Sequence, residues 1–594
     1  MSKMINHNIL WADLLVTALE TYGIKYACVS PGSRNTPLVL AFQKSNKIKT
    51  FVHVDERSSG FFALGLVYQT KSPVVLITTS GTAVAELYPA VIEAYFKHAP
   101  LLLFTADRPQ SLHNTGANQT INQVNIFKNH VRGYYEAGMP KINKPHLYGF
   151  SKKINNIVAE SIIKKGPIQV NFPFAEPFEP SAGTEEVSDT FAETMHKEFS
   201  RNLLRINYKK KRNYDIQYLI DLLNNSSKVM IILGNSKFKE SISNNVIKLA
   251  EILNAPIFAD GFSNLRYLKS KSKNVITNFA SFLKSKKIRE ILEPSVILQF
   301  GDTPVSKELL QFFKESNAQK ILIHRFGEMK DPSKTAKKVI TAKTDWICRI
   351  LNESVDSTRS EEQNQYLNKV AKVDEAAGMI KDVFLESVAF PFEGKIINDV
   401  LSLLPEEANV MVSNSMPARD FDYFAEYDKR IKVFNNRGAS GIDGIISTAA
   451  GVAAESDKPS VLFIGDLAFY HDISGMLALK KYNIPLVIIL FNNDGGGIFE
   501  TLPISKENNV EFEEYFKTPI NIDYKSIVKG FDGNFKTVST LAGFTKEVKS
   551  ALKKKKFSVI EIKIDSKTSQ NEREKFWTVL TAQVEAEHGN KEEW

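Results

Sequence analysis

The segment GDLAFYHDISGMLALKKYNIPLVIILFNND, Gly465 to Asp494, constrains the fold more than any other stretch of this 594-residue chain. An apolar run, Val461 to Ile464, stops at Gly465-Asp466, and a helix-like stretch follows. A second apolar run, Pro485 to Phe491, then stops at Asn492-Asn493-Asp494-Gly495. The separation of Asp466 and Asn493, 493 − 466 = 27 residues, is what one strand-to-strand crossover needs. Two strand ends therefore meet at one edge of a parallel sheet, with Asp466 and Asn493 as expected neighbours.

In doubly wound sheets ligands sit at the carboxyl ends of the strands, where a crossover helix turns its N-terminus toward bound phosphate. Magnesium takes hard oxygen ligands, one or two from protein and the rest from phosphate and water. The Asp466 carboxylate, the Asn493 side-chain oxygen and a main-chain carbonyl near Gly495 meet that demand. A Gly-Asp pair alone is equally an ordinary strand-end turn; the whole unit is far more specific. It resembles the thiamin diphosphate (ThDP) motif, in which Gly-Asp is followed by a closing Asn-Asn. The motif's usual third-position glycine is Leu467 here.

Length sets the next bound. At about 150 residues per domain, the chain suggests three or four domains. Hydrophobic residues at 43% and charged residues at 24% are ordinary for a globular protein. No apolar run approaches the roughly 18 residues needed to span a bilayer, and the start MSKMINHNILWADLL lacks signal-peptide character, so a cytoplasmic location is expected. Cys28 and Cys348 are the two cysteines, which excludes a disulfide framework and a cysteine-rich zinc site. The net charge of +9 includes two basic runs, Lys209 to Arg212 and Lys553 to Lys556. Neither is interleaved with aromatics, so they read as solvated surface and no nucleic-acid partner is expected.

Short apolar runs alternate with helical patterns throughout, which predicts α/β architecture: three doubly wound domains with mainly parallel sheets. The first block, 1–180, carries runs at Tyr26–Ser30, Val74–Thr79, Leu101–Thr105 and Ile168–Phe172. Residues 181–213 read as a linker that begins within the polar stretch FEPSAGTEEVSDT. The central block, 214–352, has runs before Gly234 and Gly301, but neither continues as a dinucleotide GxGxxG. A second linker is expected over 353–385 and a third block over 386–594, with blocks one and three related by a structural duplication.

Several clusters supply chemistry. Thiamin chemistry needs a buried carboxylate of raised pKa to protonate the aminopyrimidine; in HVDERSSGFFALGLVY, Glu56 opens a small-residue helix and is the candidate. Helix-start electrostatics alone would also explain an acidic residue there, and Asp55 could contest the role. VSPGSRNTPL places Ser33 and Arg34 beside a helix N-terminus, a good anion cradle. TSGTAVAELYPAVIEA has Gly81 at a second strand-to-helix turn, and TADRPQSLHNTGANQTINQ puts Arg108, Asn118 and Gln119 after a third strand. In the third block Arg419 and Arg437 are cationic forks suited to carboxylates. Gly438, Gly441 and Gly444 form a close-approach loop, and Ile498 and Phe499 an apolar wall after the metal segment.

Taken together, SPGSRNTPL, HVDERSSGFFALG, TSGTAVAELYPAVIEA, TADRP, GANQTI, NSMPARD, NRGASGIDG, FGDTPVSKELL and GDLAFYHD with NNDGGGIF resemble the 2-succinyl-5-enolpyruvyl-6-hydroxy-3-cyclohexene-1-carboxylate (SEPHCHC) synthase family of menaquinone biosynthesis. The resemblance implies a ThDP-binding fold and a transferase that requires ThDP and Mg²⁺ or Mn²⁺. Such an enzyme decarboxylates 2-oxoglutarate and adds the succinyl semialdehyde carbanion to isochorismate. It implies Glu56 as cofactor activator and Asp466, Asn493 and the Gly495 carbonyl as metal ligands. The cofactor set it implies also includes Thr79, Ser80, Gly81, Ser415, Gly438, Ser440, Gly441, Gly465, Leu467 and Ile498, with Ile442 as the apolar prop that keeps ThDP bent. Substrate would meet Ser33, Arg34, Arg108, Asn118, Gln119, Lys307, Arg419, Arg437 and Phe499; Glu308 stands where some members carry a second basic residue. A homodimer or homotetramer is implied, with no membrane insertion. The rival enzymatic assignment is another ThDP-dependent 2-oxoacid decarboxylase or an acetolactate synthase-like carboligase. The absence of an adjacent His-His pair speaks against the simple decarboxylases.

Overall fold

The computed structural model describes residues 2–201, 215–235, 240–268, 272–358 and 360–589; the basic run 209–212 lies outside them. Three six-stranded parallel sheets organise the chain. The first contains Tyr26–Val29, Lys49–Val52, Val74–Thr78, Leu101–Asp107, Gly133–Glu136 and Ile168–Pro173. The third contains Asn409–Val412, Lys432–Phe434, Ser460–Gly465, Val487–Asn492, Asn534–Val538 and Ser558–Lys563. With strands counted in chain order, both sheets read 2-1-3-4-6-5, the repeated topology expected of a duplication. The middle sheet, built from Val229–Leu233 through Ala336–Thr341, reads 3-2-1-4-5-6. Its central strands are buried on both faces, which is why they appear in the sequence as near-continuous apolar runs.

The glycine turns of the middle block have a packing cause. A Cβ on Gly234 would fall 1.7 Å from the Asp302 carbonyl oxygen, so two adjacent strand ends touch there backbone to backbone.

Two stretches expected as connecting chain are ordered elements. Glu185–Ser188 pairs antiparallel with Ser2–Ile5. The following helix, Asp189–Phe199, buries Met195 and Phe199 in the first domain's core. Residues 361–387 form one helix, started by a capping box of Ser360 and Gln363. Its buried Tyr366, Val370, Val373 and Ala377 recur at helical spacing, a stripe that the polar average of the stretch conceals.

The first and third domains share one core. Helix Glu56–Thr70 lies against helix Ile445–Ala454, and Phe61, Phe62, Leu66, Ile445, Ala449 and Val452 belong to one buried cluster. Contact is closest at paired glycines, where a Cβ on Gly65 would sit 2.1 Å from the Thr448 carbonyl oxygen. This packing sets where the helix that begins at Glu56 stands relative to the third sheet. Among the described residues no helix is long and apolar enough to cross a membrane.

Candidate active site

Strand Ser460–Gly465 pairs in parallel with Val487–Asn492, Gly465 opposite Phe491, so the two motif ends lie side by side. Asp466 is 2% exposed. Its Oδ1 accepts from the Leu467 N–H at 2.7 Å and its Oδ2 from the Gly495 N–H at 2.9 Å. Burial pushes its carboxyl up to about 6, against the opposing pull of the Gly495, Leu467 and Asn493 N–H groups. Beside it the Asn493 Oδ1 is buried with no hydrogen-bond partner. An orphaned amide oxygen next to a buried carboxylate is costly unless a cation completes it. All-oxygen donors select a hard ion such as Mg²⁺, so these residues fit a metal-bound diphosphate.

A cavity of about 180 Å³ opens onto this pair. Ser415, Ile442, Gly465, Leu467, Ile498 and Phe499 line it, together with Asn414, Met416, Glu393 and Asp420. A larger cavity of about 710 Å³ lies elsewhere, between Met379–Pro391 and Thr568–Gln583. That cavity is mostly apolar and lies away from the Asp466–Asn493 pair, so size does not locate the chemistry.

The cationic groups of the third domain flank the small cavity. Ser415, at φ 69°, precedes helix Met416–Phe424, and exposed Arg419 donates back to the Ser415 carbonyl at 2.9 Å. Arg437 donates to Asn414 Oδ1 at 3.3 Å. Burial lowers its guanidinium pKa; Asp260, Asp422 and Glu93 oppose this, while Arg419 adds repulsion. Acidic neighbours thus offset the repulsion between the two arginines.

The first domain presents a second polar edge. Glu56 starts its helix, with Asp55 as N-cap accepting from the Ser58 N–H at 3.1 Å. Burial raises the Glu56 carboxyl pKa, with Asp55 and Glu86 adding to the effect and its own backbone N–H opposing it. Arg108 donates to Ser80 Oγ and, at 2.8 Å, to the Gln119 carbonyl. Arg34 donates to the Phe174 carbonyl at 2.9 Å and stacks 4.7 Å from the Phe178 ring centroid. Thr79, Ser80, Arg34 and Arg108 are buried, whereas Ser33, Asn118 and Gln119 are exposed above them. Gly81 donates its N–H to Gln123 Oε1 at 2.9 Å.

The single chain thus gathers the sequence-predicted residues, Lys307 apart, into two groups. Those of the third domain share one edge with the metal pair, and every lining residue of the small cavity falls between 393 and 499. Glu56, Ser33, Arg34, Arg108, Asn118 and Gln119 lie on the first domain outside it. Lys307 is exposed at the start of helix Lys307–Glu315 in the middle domain, and Glu308 pairs with Lys284 at 2.8 Å. Asn414 and Glu93 are among the residues that the sequence reading missed. Asn414 donates to the carbonyls of Asn436 and Gly441 at 2.7 and 2.6 Å, and its place at a strand end beside Ser415 was the available signal. Glu93 binds the loop after Arg437 and had no such signal, because it lies within a helix.

His98, His324 and Glu328 have metal-like proximity. Arg132 donates to His98 Nδ1 at 2.9 Å and the Glu328 N–H to His324 Nδ1 at 3.0 Å. With both Nδ1 atoms accepting, each neutral ring carries its proton on Nε2 and has no lone pair left to ligate. The cluster joins the first and middle domains by hydrogen bonds instead.

Comparison with known proteins agrees with this geometry. Residues 11–126 match the N-terminal TPP binding domain of thiamine pyrophosphate enzymes, 208–412 the middle domain of thiamine pyrophosphate enzymes, and 419–562 the C-terminal TPP binding domain. The SEPHCHC synthase of Bacillus cytotoxicus is 36% identical over 561 residues, covering 94% of each chain. The chain belongs to the SEPHCHC synthase family. The synthase of Listeria welshimeri is 34% identical over 602 residues, covering 98% of this chain and 100% of its own. A thiamine diphosphate-dependent 4-hydroxybenzoylformate decarboxylase of Rhodococcus jostii RHA1 superposes with a TM-score of 0.69 at 16% identity, over 93% of this chain and 99% of that one, and so shares the fold. Both the family resemblance and the three-domain α/β class expected from sequence are borne out. As a SEPHCHC synthase family member the chain is a ThDP-dependent enzyme, and Mg²⁺ with ThDP is the cofactor pair of that family.

Proposed function

We propose that the chain decarboxylates 2-oxoglutarate and adds the remaining four-carbon unit to isochorismate, releasing CO₂ and forming SEPHCHC, a cytoplasmic step of menaquinone biosynthesis. The observation that carries this is the 36% identity to a SEPHCHC synthase over 94% of each chain, and the orphaned Asn493 oxygen beside buried Asp466 supports its metal-dependent cofactor. Asp466, Asn493 and the Gly495 carbonyl hold the metal, and Gly465, Leu467, Ser415, Gly438, Ser440, Gly441, Ile442 and Ile498 enclose the cofactor. When bound, ThDP supplies the electron sink that lets a 2-oxoacid lose CO₂ and its carbonyl carbon join an acceptor. Glu56 would hold a proton toward the aminopyrimidine, and burial, which raises its carboxyl pKa, favours that protonated form. Arg419 and Arg437, with Ser33, Arg34, Arg108, Asn118, Gln119 and Lys307, meet the carboxylates of two dianionic substrates, while Phe499 excludes water from the reacting carbon.

The working unit is at least a homodimer, in which the first domain of one chain closes the third domain of the other around Thr79, Ser80, Gly81 and Glu56. Two features support this: the small cavity has no first-domain wall within one chain, and Val54, two residues before Glu56, is 77% exposed. The test is a mass-resolved assay with ThDP, Mg²⁺ and 2-oxoglutarate, with and without isochorismate. An isochorismate-dependent adduct carrying a succinyl unit is expected. CO₂ and succinic semialdehyde alone would make the chain a decarboxylase with another acceptor, and inert 2-oxoglutarate would end the proposal.

A further inference from the structure

The loop 435–444, between strand Lys432–Phe434 and helix Ile445–Ala454, has no regular structure, and Ala439 and Ser440 are exposed. Its start is tied to the middle domain, where Asn235 donates to Asn435 Oδ1 at 2.7 Å, and within its own domain Asn414 spans Asn436 and Gly441. Its centre is held from the first domain. The N–H groups of Gly438 and Ala439 donate to the two carboxylate oxygens of Glu93, at 2.7 and 2.6 Å. Glu93 belongs to helix Tyr88–Phe96 and is 3% exposed. Two successive N–H groups form a nest, a backbone concavity made for an anion; here a carboxylate from another domain fills it. The fit is tight, since a Cβ on Gly438 would lie 2.9 Å from the Glu93 carbonyl oxygen and 3.0 Å from Oε1.

This clamp stands one residue from Arg437. Glu93 also favours the charged form of Arg437, alongside Asp260 and Asp422 and against Arg419. Freed from Glu93, residues 438–440 would have backbone donors facing solvent and many conformations, and the Arg437 fork would lose its fixed base. We propose that Glu93 is a positioning residue: its buried carboxylate locks the 438–439 backbone from the first domain, so that Arg437 is aimed at substrate and residues 440–442 at the cofactor. The substrate and cofactor roles of that loop rest on the function proposed above; the clamp does not.

The test uses the full-length Glu93→Gln chain. The amide can accept one of the two N–H groups but turns its own NH₂ toward the other. Hydrogen exchange of peptides spanning 436–441, in protein without ligands, should speed up about 10- to 100-fold, as loss of a charge-assisted pair implies. Calorimetry should give a ThDP·Mg²⁺ affinity weakened about tenfold, and the KM of the substrate that Arg437 engages should rise by more than kcat falls. Unchanged exchange would overturn the clamp. Faster exchange with unchanged cofactor affinity and unchanged KM would overturn the positioning role and leave a structural contact only. The exchange and calorimetry arms need no turnover, so an inactive wild-type chain would sink the proposed reaction while Glu93 is still judged on those two. Should Glu93→Gln not fold, Glu93→Asp keeps the charge but withdraws the oxygens by one methylene, and the same readouts apply with smaller shifts.

Discussion

Glu56 and Asp466 are both acidic residues that open a helix, where the dipole favours negative charge whatever the function. Their surroundings separate them from ordinary helix starts. Asp466 is buried beside an unpartnered amide oxygen, whereas Glu56 keeps an open face and a carboxyl raised by partial burial. Glu56→Gln should therefore still bind ThDP but lose at least about 10²-fold in turnover; near-native turnover would remove it from the chemistry. Asp466→Ala should do the opposite, weakening Mg²⁺-dependent ThDP binding by about tenfold or more, the scale of a lost charged contact. Titration of ThDP by protein fluorescence at fixed Mg²⁺ decides it, and unchanged affinity would contradict the metal assignment. At this scale the sequence shows residue type at strand ends and little of partnership. Arg34 was legible as a cation, but its bond to the Phe174 carbonyl joins residues 140 apart. Glu93 was illegible because the nest it fills lies 345 residues away.

Apolar strands and glycine turns were readable because parallel strands buried on both faces leave unbroken hydrophobic runs. The strand Glu185–Ser188 was not, since a two-stranded ribbon with one buried residue, Val187, carries almost no pattern. The small-residue character of the helix beginning at Glu56 has its cause at Gly65 and Gly451, where two helix backbones touch. Gly65→Ala should cost about 1–3 kcal/mol, because backbone atoms must move apart; an unchanged melting temperature would contradict backbone contact between these helices. The same pair of helices is joined by Asp472, which is fully buried and accepts from the Ser447 N–H and Oγ at 2.7 and 2.9 Å. Ser447 in turn meets Ser58 Oγ at 2.9 Å. Burial pushes the Asp472 carboxyl up to about 7, above its unfolded value of about 4. The folded state then binds more protons between these values, so stability falls as pH rises from about 4 to about 7. Asp472→Asn cannot ionise, and its melting temperature should gain on wild type between pH 5 and pH 8. A difference independent of pH would contradict the raised carboxyl.

For the whole molecule, the repeated 2-1-3-4-6-5 sheets give two similar ligand edges, one with the metal pair and one with Glu56. Within one chain the cavity at the metal pair has no wall from the other edge. Three α/β blocks were legible from the alternation of apolar runs and helices, but the angle between them was not, since no local pattern records which domain faces which. The middle domain reaches the first through Asp302, held by Lys97 at 3.3 Å and Lys330 at 2.8 Å, and through His98 and Glu328 at 3.1 Å. A site completed by two copies makes a prediction that one completed within a chain cannot share. Equal amounts of the inactive Glu56→Gln and Asp466→Ala chains, allowed to exchange subunits, should form mixed dimers with one intact site each. Succinyl-adduct formation should then recover to about a quarter of the wild-type rate. Recovery of that order would place Glu56 of one chain over Asp466 of its partner; no recovery despite demonstrated subunit exchange would contradict it.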